Sequence, residues 1–536
     1  MDTLVPGANL DHRGTAFTEE LLIELLTSLV EGATGRPRVG DATFELASFS
    51  GAAVFDDMKF DGHISFKGAE IAGDAQFNAV EVLGDLQFEG VTVGSRVSFE
   101  QARIHGDAWF GRAAIDGAAV FGGVNFGGDA SFLNARFRGG AWFGGAAFQG
   151  EVWFAGAEFS ADAVFRKVAF ERMGSLGPLV STGTLDLSEA RFGAAVTIEA
   201  AAVAVDCRRT RWASTAALRL RYAVVDLSDA VLEYPVSIAA RARPFITSGG
   251  QVPEGGLADA RVRIASLRGV DATHLVLTDL DLSDCLFSGT INLDRLRLEG
   301  LYTLASVPTG LHRRGLRVMR WTPRRTLAEE HHWRATRFAD ADGWTPPPPG
   351  TDVLAPAALA PVYRQLRKSF EDGKHEPGAA DFYYGEMEMR RHADDIPWTE
   401  RSLLTAYWAV SGYGLRASRA LACLLTAMTA TVLAMMLWGI PKYAPVPTSE
   451  GTLRGARNVT VTTAMPTPVN PDGPYLDRLS TDRFEKSLRV VINSAVFRSS
   501  GQDLTTVGTY VEMASRLTES ALLGLAILAL RNRVRR

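Results

Sequence analysis

Glu329 and His332 stand three residues apart in "TLAEEHHW", the E-x-x-H spacing with which helix pairs hold di-iron or di-manganese centres. That chemistry needs a second E-x-x-H and two further glutamates on facing helices. The chain has no second copy, so no metal and no other cofactor is expected. Cys207, Cys285 and Cys423 lie far apart without C-x-x-C spacing, which points to small buried residues and to neither a disulfide framework nor a zinc site. No G-x-x-x-x-G-K-[ST], H-E-x-x-H or nucleophile elbow occurs, and the glycines of "GGVNFGG" fall inside a repeat, not between a strand and a helix. No catalytic residue is therefore expected, and the chain reads as a non-enzyme. Ionisable groups do recur in one unusual setting. Glu512, Arg516 and Glu519 fall at i, i+4 and i+7, on one helical face, within an otherwise apolar stretch.

The elements that must hold that face read as membrane spans. "ALACLLTAMTATVLAMMLWGI", residues 420–440, carries no charge and would be about 31 Å long as a helix, enough to cross a bilayer. Arg416 and Arg419 flank one end, Trp438 and Pro441 the other. A second run, "LTESALLGLAILAL" from Leu517, reaches spanning length when extended back towards Thr505, which gives spans at about 420–440 and 508–530. "LLTAYWAVSGYG" before them is too short to cross and carries Tyr407 and Trp408, so an interfacial position is expected. Arginines ahead of the first span and in the terminal "RNRVRR" place both termini in the cytoplasm and residues 441–503 outside. Met1 is followed by Asp2 and the first apolar run carries charges, so no signal peptide is expected. The expected location is the cell membrane, multi-pass, with lipid as one partner.

Upstream, a different periodicity rules. From Phe44 to Phe170, 24 positions alternate between steps of five and six residues; nineteen are Phe and the others are Ile71, Val82, Val93, Ile104 and Ile115. The residue two before each is Ala in fifteen cases and otherwise Val, Met58, Ile64 or Leu86. An eleven-residue unit could form a right-handed coiled coil. Here, however, the apolar positions scatter round a helical wheel, and residues 41–172 hold twenty glycines, each costing about 1 kcal/mol in a helix. An apolar pair at i−2 and i instead points to one face of a pleated strand, with Gly or Asp turning the chain after it. Beyond residue 170 the step persists more loosely, at Leu187, Phe192, Ile198 and Val203, at Leu227, Leu232 and Ile238, and at Leu277, Leu282, Phe287, Leu293 and Leu298. Two stretches, 171–184 and 241–262, break it with Gly and Pro and are expected as loops leaving the repeat.

"ARFRG", "AAFQG" and "AEFSA" give this region a resemblance to the Phe-rich variety of pentapeptide-repeat proteins, with one extra residue in every second repeat. The resemblance implies a right-handed quadrilateral β-helix of 22-residue coils with Phe and the preceding Ala inward. Residues 41–172 would then make six coils about 29 Å long, with Phe143 stacked between Phe121 and Phe165. The helical pair in "YRQLRKSFEDGKHEPGAADFYYGEMEMRRHA" resembles the segment that precedes the membrane part of actinobacterial membrane-bound members. The two spans and intervening segment resemble two-helix pore-loop channels, with "LRVVINSAVF" as pore helix and Thr505, Thr506, Val507 and Gly508 of "LTTVGTY" as a filter-like segment. Its second half departs from a potassium filter, because Gly508 is followed by Thr509, Tyr510 and Val511 where a Gly-Tyr-Gly continuation would hold the carbonyl rings.

The expected architecture is mainly β. A capping helix occupies residues 1–40. A β-helix over 41–305 is regular to 172 and degenerate over 185–300. A basic, solvated helical segment follows over 306–345, then a Pro-rich linker over 346–361, a helical hairpin over 362–400 and the membrane region over 401–536. The expected function is a membrane-anchored scaffold with a cytoplasmic β-helix, binding an unidentified protein and self-associating. The alternatives are a pore-loop channel or its regulator, and a DNA mimic of the gyrase-binding kind. Nucleic acid itself is not an expected partner. The mimic is disfavoured by a modest charge, 18 acidic against 10 basic residues over 41–172.

Overall fold

The computed structural model describes residues 5–32, 34–247, 250–310, 312–314, 317–319, 321–337, 343–442, 446–452, 460–464, 466–497 and 503–534. The chain divides into two compact units, Met1–Phe382 and Tyr383–Arg536.

The first unit is dominated by a parallel β-solenoid of about 12 turns. Strands of two residues, such as Ile64–Ser65, Glu70–Ile71, Ala75–Gln76 and Glu81–Val82, follow one another round four faces of a coil. Each pairs with its equivalents in the coils before and after, as Ala75 does with Ala53 and Val97. All 24 ladder residues and the residues two before them are buried. Phe143 lies 4.7 Å from both Phe121 and Phe165, with rings within 4° of parallel, and meets Phe132 and Phe154 edge-on at 5.4 and 5.7 Å. The core is therefore stacked along the axis and edge-to-face across it, both favourable arrangements for aromatic rings.

The backbone accounts for the alternation of five and six. A residue with φ near +60° recurs every eleven positions, from Leu46 and Asp57 through Gln101 and Asn134 to Lys167. Each falls inside a five-residue step, as Leu46 does between Phe44 and Phe49, and the turn is closed by Ala47 N–H donating to the Phe44 carbonyl at 3.1 Å. A left-handed residue turns the corner in one residue fewer. The six-residue corners turn without one and need the extra residue.

The solenoid begins earlier than the repeat suggests. Leu10–Asp11 pairs with Ala42–Thr43, Ala16–Phe17 with Ser48–Phe49, and Arg38–Val39 with Lys59–Phe60. Helix α1 (Glu19–Ser28) replaces the third face of this first coil and buries Leu22 and Leu25. The helix expected to precede the solenoid is thus built into it. Residues 171–184 also depart from expectation. Ser175–Asp186 is a strand paired in parallel with Val196–Asp206, and register shifts at Leu176/Leu179 and Ser181/Thr184 absorb the irregular sequence without a loop. The second break does leave the coil, as a hairpin pairing Ile246–Thr247 with Gly250–Gln251. Phe245 and Val252 pack back onto Val180 and Ala201. From Phe192 the coil shortens, with Arg191 paired to Arg211 and Arg211 to Val231. That shift carries Val203, expected inside, to a position 48% exposed.

Helices α2 (Ala328–Arg337) and α3 (Pro356–Asp372) close the far end. Here the expectation of a solvated basic helix fails, because Glu329, Glu330, His331, His332, Trp333 and Arg334 are all buried. Glu330 Oε1 accepts from Arg324 Nη2 at 2.5 Å and Arg334 Nε at 2.7 Å, while Oε2 accepts from the Tyr363 hydroxyl. Arg334 also lies over the rings of Trp321 and Trp344. Paired and stacked, the arginines can be taken out of water. Leu311, Gly315, Leu316, Arg320 and residues 338–342 of the same segment lie outside the described residues. Helix α3 starts inside the stretch expected as linker, and its Ser369 hydroxyl donates to the Leu296 carbonyl at 2.6 Å.

The second unit is helical, with the end of α4 (Glu376–His392), α5 (Trp398–Ser411), α6 (Ala417–Ala434), α7 (Thr481–Phe497) and α8 (Thr506–Val534). A π-turn, Met435–Gly439, extends α6. Thr448–Thr452 and Thr460–Ala464 pair as a hairpin between α6 and α7.

Candidate functional site

The glutamate of the E-x-x-H pair serves the solenoid end. Glu329 Oε1 accepts the backbone N–H groups of Phe287 and Ser288 at 2.6 and 2.9 Å. These donors, on the last coils, would otherwise lack a partner in a following coil. Burial pushes the Glu329 carboxyl above its ordinary range, against the lowering effect of its backbone donors, and burial lowers His332. Among the described residues no group of three or more His, Cys, Asp or Glu could hold a metal ion. Cys207 and Cys285 are buried, their thiols pushed up by desolvation, while Cys423 on α6 is half-buried.

The charged face found in the sequence is assembled in the second unit. Helices α6 and α8 are long and apolar enough to cross a membrane. They pack in opposite directions, since Gly439 at the end of α6 meets Gly508 at the start of α8 and Thr431 meets Glu519 two to three turns further in. A Cβ on Gly508 would lie 2.4 Å from the Gly439 carbonyl oxygen, so the two backbones can touch only at glycine. Helix α7 packs beside them, Val491 against Val432 and Met436. Arg483 donates to the carbonyls of Met436 and Ile440, at 2.7 and 2.8 Å from Nη2, and Arg478 to that of Leu437 at 2.9 Å. These guanidinium groups satisfy carbonyls left open where α6 ends.

The filter-like segment stands at the start of α8. Thr505 caps α8: its hydroxyl accepts the Gly508 N–H at 3.0 Å and its carbonyl accepts the Thr509 N–H at 2.9 Å. Thr506, Val507 and Gly508 form the first helical turn. A filter needs its carbonyls turned towards an ion, and the Thr505 carbonyl is already engaged. The short side chain of "TTVGT" marks a helix start and a glycine contact.

Glu512, Arg516 and Glu519 point into the three-helix packing. Arg516 Nη2 pairs with Glu512 Oε1 at 2.6 Å, and Arg516 Nε donates to Ser494 Oγ of α7 at 3.3 Å. Glu519 is fully buried; its Oε1 accepts from Thr431 Oγ1 of α6 at 2.8 Å, and its Oε2 has no hydrogen-bond partner. Ser487, Ser494, Thr505 and Ser515 are buried in the same unit. The sequence reading found the charges but missed Thr431, Ser487 and Ser494. The spacing of seven between the two serines on one face of α7 was the available signal.

Fold and site together describe a β-solenoid protein with a separate bundle of apolar helices. Residues 77–125 and 121–169 match the family described as pentapeptide repeats (9 copies), so this part of the solenoid is made of pentapeptide repeats. No curated protein and no solved structure matches the chain.

Proposed function

We propose that the protein is a membrane-anchored scaffold, held by α6 and α8, whose solenoid presents an interaction surface on the cytoplasmic side and performs no chemistry. One observation carries the anchor: the apolar windows of α6 and α8 are only 28% and 22% buried within the chain. A soluble protein hides helices of that composition in its core. Here large apolar side chains face outward, among them Leu425 at 63% and Leu517 at 78% exposure, while Glu512 and Glu519 are buried. The scaffold half of the reading is supported by the solenoid interior, which side chains fill along its length. The arginines around the first span support a cytoplasmic solenoid, and the pentapeptide-repeat resemblance supports a protein partner and self-association.

The test is fractionation with labelling. The full chain should stay with membranes after a carbonate wash, and a chain ending at residue 400 should become soluble. If the truncated chain pelleted as before, the anchor would lie elsewhere. Proximity labelling from a solenoid terminus should mark cytoplasmic proteins, and exclusive labelling of proteins outside the membrane would reverse the orientation.

A further inference from the structure

We infer that Glu519 is a proton-binding site at the α6–α8 contact, loaded from the end of the helices at which Thr505 lies; this rests on the reading that α6 and α8 span a membrane. Glu519 is fully buried, and nothing in the packing of the helices uses its second oxygen. Oε1 holds the Thr431 hydroxyl at 2.8 Å, whereas Oε2 has no partner. Along the inward stripe of α8, polar and small residues run from Thr505 through Gly508, Glu512 and Ser515 to Glu519, each buried. Beyond Glu519 the buried residues of the stripe are Ala526 and Ala529, which offer a proton no partner. The polar route therefore runs from one side and stops at Glu519.

The ligand follows from the donor count. An alkali-metal ion needs several oxygens around it, whereas the hydroxyl beside Glu519, Thr431 Oγ1, lies 2.8 Å from Oε1 and is shared with the Ala427 carbonyl at 3.0 Å, so the site supplies too few. A proton needs only the one free oxygen. The charged groups nearest along α8, Glu512 and Arg516, are paired with each other, and Arg516 also reaches Ser494 of α7. The only charged residue of α6 is Arg419, which lies over Trp408 near the opposite end. The charged pairs of α7, Asp482 with Lys486 and Glu485 with Arg489, lie on its exposed side. Glu519 therefore takes its proton without an ion-pair partner. An intramembrane carboxyl in such a place is a functional site by default.

The experiment uses the full-length protein in proteoliposomes and dicyclohexylcarbodiimide, which reacts with protonated carboxyl groups in apolar surroundings, with the labelled residue read by mass spectrometry. Labelling is expected at Glu519 and not at Glu512. It should fall at least tenfold as pH is raised on the Thr505 side alone, with sodium and potassium giving no protection at constant pH. Glu519→Gln should abolish the label while the chain stays in the membrane. Thr431→Val should keep the label and change its pH dependence. An unlabelled Glu519 in a chain that resists carbonate extraction overturns the proton site alone, as does labelling indifferent to pH or blocked by sodium. Extraction of the chain by carbonate overturns the anchor and this inference with it.

Discussion

Phe143 and Glu519 are both fully buried, yet one sits in a wholly apolar interior and the other in a mixed one. Around Phe143 the inside of the solenoid is aromatic and aliphatic, and charges such as Arg138 and Asp116 pair on the outside at 2.6 Å. Around Glu519 the inside of the helix packing mixes Val432, Met436 and Val491 with buried hydroxyls and the carboxylates of Glu512 and Glu519, and Leu425 and Leu517 are exposed. The same hydrophobic effect produces both, because it drives apolar area away from water and has no preference for the centre of a protein as such. Under the membrane-anchor reading proposed above, the two arrangements answer to two solvents. Exchanges of polar and apolar residues should therefore have opposite consequences in the two units.

The largest effect is expected from Phe143→Asp, which puts a lone carboxylate between Phe121 and Phe165 at a cost of several kcal/mol. Thermal unfolding followed by circular dichroism should show the neighbouring coils lost, while Gln149→Asp, at an exposed position, melts like the parent. Equal melting temperatures would break the comparison at its root. Next comes Glu330→Gln at the solenoid end. It leaves Arg324 and Arg334 buried without their carboxylate and should destabilise by about 3–5 kcal/mol. Burial alone would raise this carboxyl, but the two guanidinium groups outweigh it and hold it below its ordinary range. A folded value below the unfolded one means that its contribution is present above the usual carboxylate range, begins to be lost as pH falls into that range and is gone below the lowered folded value. Acid titration of stability should show this loss in the parent and not in the variant.

Glu329→Ala should cost less, about 1–3 kcal/mol, by leaving the Phe287 and Ser288 amides without an acceptor. Hydrogen exchange at those two amides checks it. Its pH dependence runs the other way. The folded carboxyl is raised, so its contribution is complete in acid and is lost as pH rises through the folded value. Adjacent glutamates on one helix should thus give stability slopes of opposite sign, which Glu329→Gln and Glu330→Gln separate. Gly508→Leu should also cost about 1–3 kcal/mol, by forcing α8 away from the Gly439 carbonyl. Faster exchange of the Thr505 amide, which donates to that carbonyl at 3.0 Å, would report it. The smallest effect is expected from Glu519→Leu, within about 1 kcal/mol of the parent or more stable, since an apolar side chain replaces an incompletely partnered acid. Strong destabilisation there would make Glu519 a structural residue and remove the contrast with Phe143.

How much of this could be read beforehand depended on whether the signal was periodic. Phe44 to Phe170 announce their own burial because each coil repeats the last, and the stacking of Phe143 follows by adding 22 to its number. The two apolar helices were legible for a similar reason, as uninterrupted composition. The first coil was not, because Leu10, Ala16 and Val39 surround a helix that interrupts the spacing. The plug formed by α2 was misread because Arg324 and Arg334 look solvated until Glu330, Trp321 and Trp344 are brought to them by folding. In "LTTVGTY" a few residues carry too little information to separate a filter-like segment from a capped helix start. Only the contact with Gly439 decides the role of Gly508.

Groups covered at the two ends of the solenoid limit how a further coil could add. A bare terminal coil is an open row of donors and acceptors onto which another coil could add, and addition at both ends would give a fibre of unlimited length. At one end α1 stands where a third-face strand would offer its edge, and at the other Glu329 and Ser369 occupy groups that a further coil would use. Addition of a further coil is blocked at those positions. The length of the solenoid is then set by the number of coils in its own sequence.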